Sequence, residues 1–246
     1  MSVLQILTDP VRQAMLDHAA DTQPHECCGL LLRDPEEGSV HYMAARNLLA
    51  SGPAGQDRFR LDPEDFAAAE DFGQVLAVVH SHPNASANPS MADRVGCEKS
   101  GLPWVVVGWP SGVMKELAPE GWQAPFIGRE FAHGVLDCYT LIQDWYARER
   151  GIELPDFDRV DDWWANGQDL YMQNFAAAGF VRAEGVLREG DVILMQVKSP
   201  VANHGAVYLG QDKLLHHLWG RPSCHDVYGG YWARHTVATV RHRSLA

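Results

Sequence analysis

Two groups of residues in this 246-residue chain have types and spacings that can do chemistry. The first lies in HSHPNASANPSMAD, residues 80–93, where two histidines stand two apart and Ser90 and Asp93 follow as a Ser-x-x-Asp. Alternate residues of a strand share a face, so His80 and His82 can offer both imidazoles to one ion. Asp93, in the first turn of the next helix, would add an oxygen and leave one position for water, the donor set of a catalytic zinc. Zinc lowers the pKa of such a water toward ~7, and a carboxylate must still take its proton and pass it to a leaving amine. Glu26, in PHECCGLL, is the candidate for that work. The competing reading is structural, because Ser90 and Asp93 are also the two halves of a capping box. Ser90 can cap a helix and serve chemistry together. Asp93 is expected to do one or the other, bond backward or bind an ion.

The second group centres on Cys138 in LDCYTLI. Unpaired amides and the dipole at a helix start favour a thiolate over a thiol, which predicts alkylation well below the ordinary thiol pKa of about 8.5. A nucleophilic thiol also needs an imidazole to hold its proton and a third group to orient that imidazole. His204, in ANHGAVYLG, fits the first role, and KLLHHLW returns a second histidine after Gly210-Gln211-Asp212. A three-residue turn pairs residue 206 with 216 and puts His216 on the face of His204, whereas a two- or four-residue turn selects His217. Cys27, Cys28, Cys97 and Cys224, and His18, His41, His225, His235 and His242, have no such setting and read as core or incidental residues.

The elements that must position these groups follow from periodicity and punctuation. A short helix near residues 9–20 precedes two strands, CGLLLRD and SVHYMAARN, around the turn PEEG. LDPEDFAAAEDF reads as a helix opened by Asp62 with Pro63 in its first turn. VLAVVHSH is a strand, SMADRVGCEKSG a helix capped at Ser90, and LPWVVVGWPSG a buried strand and turn, an α/β mixture. Periodicity stops in ELAPEGWQAPFIGRE, where Pro, Gly and Gln gather, so the domains are expected to be 1–118 and 119–246. The second half opens with a helix that Asp137 caps, Leu141, Ile142, Trp145 and Tyr146 face inward from, and Gly151 ends. A Trp-rich helical segment is predicted over about 160–178. DVILMQV, GAVYLG and KLLHHLW then predict an antiparallel sheet, making this half α+β.

Composition bounds the function. With 46% hydrophobic and 21% charged residues the chain has an ordinary globular composition, and its formal charge of −12 disfavours nucleic acid and anionic membrane as partners. Five cysteines without a C-x-x-C pair point to a reducing compartment rather than a disulfide framework. MSVLQILTDP has no basic start and no sustained apolar stretch, so neither a signal peptide nor membrane insertion is expected.

Glu26, the His80-Ser81-His82 run, Ser90 and Asp93 together resemble the JAMM motif of MPN-type zinc metallopeptidases, over roughly residues 1–115. The resemblance implies a JAB1-like domain with one zinc on His80, His82 and Asp93, Glu26 as general base and Ser90 at the oxyanion. Asp137-Cys138, REGDVILMQ, HGAVYLG and a histidine twelve residues after His204 resemble the papain-like NlpC-type cysteine peptidases, over about 126–240. There Cys138 attacks, His204 is the base, and the residue twelve on orients it, which selects His216. Two departures leave the oxyanion donor open: Tyr139-Thr140 replaces the usual Ser-Gly, and Phe131 stands where many members carry a tyrosine, with His133 close in sequence.

The pairing of both domains resembles the tail-assembly protein K family of lambda-type tailed phages and prophages. It implies phage tail-tip proteins as partners, the peptidoglycan stem peptide as substrate of the cysteine site, and residence in the host cytoplasm during assembly and at the virion tail tip afterwards. Two other function classes fit parts of the pattern: a structural tail component with vestigial sites, and a cellular JAMM peptidase processing a ubiquitin-like or sulfur-carrier protein.

Overall fold

The computed structural model describes residues 2–50 and 57–245. Its first sheet is organised around a strand with almost nothing to show to water. β1 (Cys28–Arg33) is buried at five of six positions. It pairs antiparallel with β2 (Val40–Ala45) on one side and β3 (Gln74–Pro83) on the other. β4 (Trp104–Trp109) runs parallel to β3, and β5 (Met114–Leu117) closes the far edge antiparallel, giving the order β2-β1-β3-β4-β5.

The period-2 alternation of side chains divides this sheet into two buried faces. Leu31, Ala77, Val79, Val105 and Val107 meet α1 (Asp9–Asp21), whose Val11, Met15 and Ala19 recur at helical spacing. Leu30, Leu32 and Val78 meet α2 (Pro63–Phe72) and α3 (Met91–Ser100) through Ala69 and Cys97. His80 and His82 follow Val78 by two and four residues, so they share the α3 face. Parallel strands need a crossover, and α3 is part of the crossover from β3 to β4. The connection that fixes the ligand strand therefore also brings in the helix that carries Asp93.

The contacts of the chain divide it into two compact units, Met1–Gln123 and Ala124–Ala246. The stretch after β5 stays with the first unit because the Glu98 carboxylate on α3 accepts the backbone N–H groups of Glu120, Gly121 and Trp122, at 2.9–3.1 Å.

In the second unit α4 (Cys138–Arg150) starts at Asp137, whose side chain accepts from the amides of Tyr139 and Thr140, and ends at Gly151, held at φ 65°. Its inner face, Leu141, Ile142, Trp145 and Tyr146, packs on Val192, Leu194, Val207, Leu215 and Val240. After α5 (Leu170–Asn174) the strands are β6 (Phe180–Arg182), β7 (Val192–Met195), β8 (His204–Tyr208), β9 (Lys213–His216) and β10 (Cys224–Val227). α6 (Gly230–His235) and β11 (Thr236–His242) complete the unit, and the sheet order is β10-β9-β8-β7-β11-β6, antiparallel throughout.

Two expectations change here. The predicted helix over 160–178 is mostly turns, with only the five-residue α5 inside it. Asp162 sits at φ 53° with its carbonyl accepting from Ala165, and Gly167 at φ 75°, so two left-handed residues break the helical path. The predicted three-run sheet has six strands, because three further strands are short or lie outside the alternating runs. Among the described residues no helix is long and apolar enough to cross a membrane.

Candidate active sites

In the first unit three side chains converge. His80 Nε2 lies 3.1 Å from His82 Nε2 and 3.1 Å from Asp93 Oδ1, and His82 Nε2 lies 3.2 Å from Asp93 Oδ2. Among the described residues this is the one group of three or more His, Cys, Asp or Glu side chains spaced to hold a metal ion. These separations are close to the ~3.3 Å between ligands that stand about 2.0–2.1 Å from a tetrahedral ion. Tautomer supports the fit. His82 Nδ1 faces the Ser86 carbonyl at 2.9 Å, and a carbonyl can only accept, so Nδ1 carries hydrogen and Nε2 is the nitrogen that could meet an ion in exchange for the proton it shares with Asp93. His80 is fully buried, stacked on Phe59 at 4.8 Å and met edge-on by Trp104, which fix its plane although its Nδ1 has no hydrogen-bond partner among the described residues. Two nitrogens and a carboxylate suit zinc.

The electrostatics agree with a cation at this point. Burial lowers the His80 pKa against the opposing pull of Asp93. For His82 burial acts the same way, but Asp93 and the Ser86 carbonyl outweigh it and raise the value. Burial would raise Asp93, yet its hydrogen bonds to the two histidines hold it far below the carboxylate range. Glu26, 4% exposed, is pushed up to about 9 by burial first and by the Asp93 and Asp57 carboxylates next. It sits just before β1, whose Cys28 pairs with His80, so strand register rather than sequence distance brings it to the site.

The capping box is also present. Ser90 Oγ accepts from the Asp93 amide at 3.1 Å, and Asp93 Oδ2 accepts from the Ser90 amide at 2.7 Å. Bonding backward therefore does not take Asp93 away from the two histidines. A carboxylate has about four lone-pair sites, and here Oδ2 serves cap and His82 together while Oδ1 serves His80. The cap holds Asp93 against both histidines.

In the second unit Cys138 is the first residue of α4, and its Sγ lies 3.1 Å from the Tyr171 hydroxyl. The turn after β8 sets Ala206 opposite His216, the pairing that a three-residue turn requires. His204 Nε2 then stands 3.0 Å from His216 Nδ1, both rings being buried. Trp232 packs against both, its ring centre 5.9 Å from His204 and 4.7 Å from His216. Cys138, His204 and Tyr171 line a cavity of about 920 Å³ that Trp164, Trp219 and Asp226 also border. Gly205 is required by close approach, since a Cβ there would come 2.8 Å from Ile142 Cδ1 and 3.2 Å from the Tyr171 hydroxyl.

The expected acidic thiol is not what this pocket favours. Burial first and the Asp137 carboxylate next push Cys138 up to about 11, against the Tyr171 hydroxyl and the Gly205 amide. Burial dominates, and the residue that caps the helix adds a negative charge beside the sulfur. His204 is pushed down to about 3 by burial and by neighbouring His216 and His217. Both shifts favour the neutral forms, thiol and imidazole. Tyr171 escaped the sequence reading because it comes from α5, in the misread segment, and nothing local marks it. His133, considered for the oxyanion, has its Nε2 3.1 Å from the Arg159 carbonyl. Phe131 packs edge-on against His217.

The fold and both sites define a protein that joins a JAB-like domain to an NlpC/P60 domain. Residues 8–123 match the family described as prokaryotic homologs of the JAB domain, and residues 128–241 match the NlpC/P60 family. The tail tip assembly protein K of Escherichia phage N15 is 39% identical over 235 residues, covering 94% of this chain and 94% of that protein. Its counterpart from Escherichia phage lambda is 42% identical over 185 residues, covering 75% of this chain and 90% of that protein. The chain belongs to the phage tail tip assembly protein K family. The solution structure of a Desulfitobacterium hafniense protein is 25% identical, covers 46% of this chain and 89% of that one, and has a TM-score of 0.36.

Proposed function

We propose that this tail tip assembly protein is a hydrolase with two peptidase sites, a cysteine site that cuts peptidoglycan stem peptides and a zinc isopeptidase-like site. The observation that carries the reading is that Cys138, at the start of α4, and His204 border the same cavity, with His216 Nδ1 3.0 Å from His204 Nε2. In the cysteine site His204 takes the Sγ proton as sulfur attacks the scissile carbonyl carbon. The Tyr171 hydroxyl and the Cys138 amide are the donors for the developing oxyanion, because the Asp137 cap takes the Tyr139 and Thr140 amides. The C–N bond then breaks, His204 returns its proton to the leaving amine, and water releases the acyl group from sulfur. His216 keeps the His204 ring in place for both transfers.

In the N-terminal unit His80, His82 and Asp93 are the residues to hold one zinc per chain, which would supply a Lewis acid and an activated water. Glu26 is the proton carrier there: its carboxylate form takes a proton, and the protonated form, which burial favours, gives it to a leaving amine. Ser90 keeps its hydroxyl hydrogen free for an oxyanion because the cap uses only its lone pair.

Tail-tip proteins are the partners that the relatives' name supports, with the chain in the host cytoplasm during assembly and at the tail tip afterwards. A chain of net charge −12 gains nothing from electrostatics at an anionic wall, so attachment to the tail supplies the local concentration. The test is digestion of purified cell wall by wild type, Cys138→Ala and Glu26→Gln, with released peptides identified by mass. Stem-peptide fragments should vanish with Cys138→Ala and persist with Glu26→Gln. Equal release by all three, or none by wild type, would leave a structural role in the tail.

A further inference from the structure

His216 poses a proton problem whose solution lies on β10. Two imidazole nitrogens 3.0 Å apart, His204 Nε2 and His216 Nδ1, share one hydrogen, so one of them donates and the other accepts. For the other nitrogen of His204 to accept the thiol proton, neutral His204 must carry its hydrogen on Nε2. His216 Nδ1 is then the acceptor, and the His216 hydrogen must sit on Nε2. In the opposite tautomer His204 would turn an N–H toward the sulfur and could take no proton. An asparagine or glutamine in place of His216 would present its carbonyl and avoid this ambiguity. A histidine needs something to decide its tautomer.

β10 supplies it. Cys224 lies directly opposite His216 in the strand register, with Sγ 3.6 Å from Nε2. Asp226, two residues on along the same strand, has Oδ2 3.9 Å from the same nitrogen. Trp232 Nε1 donates to that Oδ2 at 2.8 Å while its ring lies against both imidazoles. One side chain thus aims the carboxylate and packs on the histidines. The other charged group acting on His216 is Arg221, whose positive charge opposes that of Asp226.

We infer that Cys224 and Asp226 are positioning residues that hold His216 as its Nε2–H tautomer, extending the cysteine site to a relay of Cys138, His204, His216 and Asp226 with Trp232 as its brace. The inference rests on the cysteine-peptidase reading for its purpose. When His204 becomes cationic during turnover, the Asp226 charge lies beyond His216, at the far end of the same line of rings. Cys224, which sequence alone leaves as incidental, acquires the task of accepting a weak hydrogen bond.

Histidine ¹⁵N–¹H correlation spectra of the full chain at neutral pH report tautomers directly. Wild type should show both His204 and His216 protonated on Nε2. Cys224→Ala combined with Asp226→Ala removes both acceptors and should move the His216 tautomer ratio by about tenfold toward Nδ1–H, the weight of one hydrogen bond to a buried donor. Turnover of stem peptide should fall by a similar factor in kcat with KM unchanged, and Asp226→Glu should recover part of it. Cys224 and Asp226 are both partly exposed, so the fold should survive, and Asp226→Asn alone is the milder control. A wild-type His216 protonated on Nδ1, or a ratio unmoved in the double variant, overturns the inference. If the ratio moves but Cys138→Ala leaves wall digestion unchanged, the peptidase reading fails while the tautomer device stands.

Discussion

The two sites use the same pair of residues in opposite ways. In the N-terminal unit His80 and His82 point their Nε2 atoms at each other across 3.1 Å, with Asp93 bridging both. In the C-terminal unit His204 and His216 stand as close, but Nε2 faces Nδ1, so one ring donates to the other. Converging lone pairs make a cation site, and lone pairs arranged head to tail make a proton path. The first arrangement comes from two residues of one strand, the second from two residues facing across a hairpin. Helix starts differ in the same sense. At α3 the cap carboxylate is itself one of the three groups spaced to hold an ion. At α4 the cap carboxylate stands beside Cys138 and adds to the burial that raises the thiol pKa.

That contrast can be broken most severely at the nucleophile. Cys138→Ala should cut release of stem peptides by on the order of 10³-fold or more, since a site acting as a unit loses nearly everything with one member. Zinc content should stay at wild-type level, as measured by metal analysis. A variant that loses zinc as well would show that the two sites are not independent.

The converse change, His80→Ala, should take zinc from one per chain to background while leaving wall digestion within about twofold, because a three-ligand site cannot spare a nitrogen. Unchanged zinc would return His80, His82 and Asp93 to a purely structural role.

A smaller effect follows from Glu26. Its folded pKa of about 9 lies above the ordinary 4.5, so the folded state binds the proton more tightly. Its contribution to stability is complete below pH 4.5 and is lost as pH rises toward 9. The loss amounts to about 3 kcal/mol at pH 7 as an upper bound. In chelator at pH 7, Glu26→Gln should therefore melt above wild type, and the gap should close near pH 4.5. A gap independent of pH would mean that the carboxyl is ionised.

Alkylation sharpens the contrast at α4. With the thiol near 11, iodoacetamide should modify Cys138 about tenfold faster per pH unit through the neutral range. A rate that stays flat down to pH 6 would reveal a thiolate–imidazolium pair instead. The smallest change is Ser90→Ala, expected to cost about 1 kcal/mol from the lost cap, read as a lower melting temperature.

What could be read without the fold were features set by neighbours along the chain. The i, i+2 spacing of His80 and His82, the Ser90 cap and the Asp137 cap are local, and local geometry follows from residue type, whereas the turn after β8 leaves His216 and His217 both open until the strand register selects one. Opaque to that reading were contacts between segments far apart in sequence. Tyr171 reaches Cys138 across 33 positions, and Asp226 reaches His216 only because β10 returns alongside β9. The thiol's direction of shift was missed for the same reason. A helix start argues for a thiolate, but the desolvation that reverses it is a property of how α4 packs on β8, and desolvation depends on everything that surrounds an atom. The sequence by itself determined which groups could react. Which way their protons and lone pairs point was decided by tertiary structure, because burial and strand register are set by the whole fold.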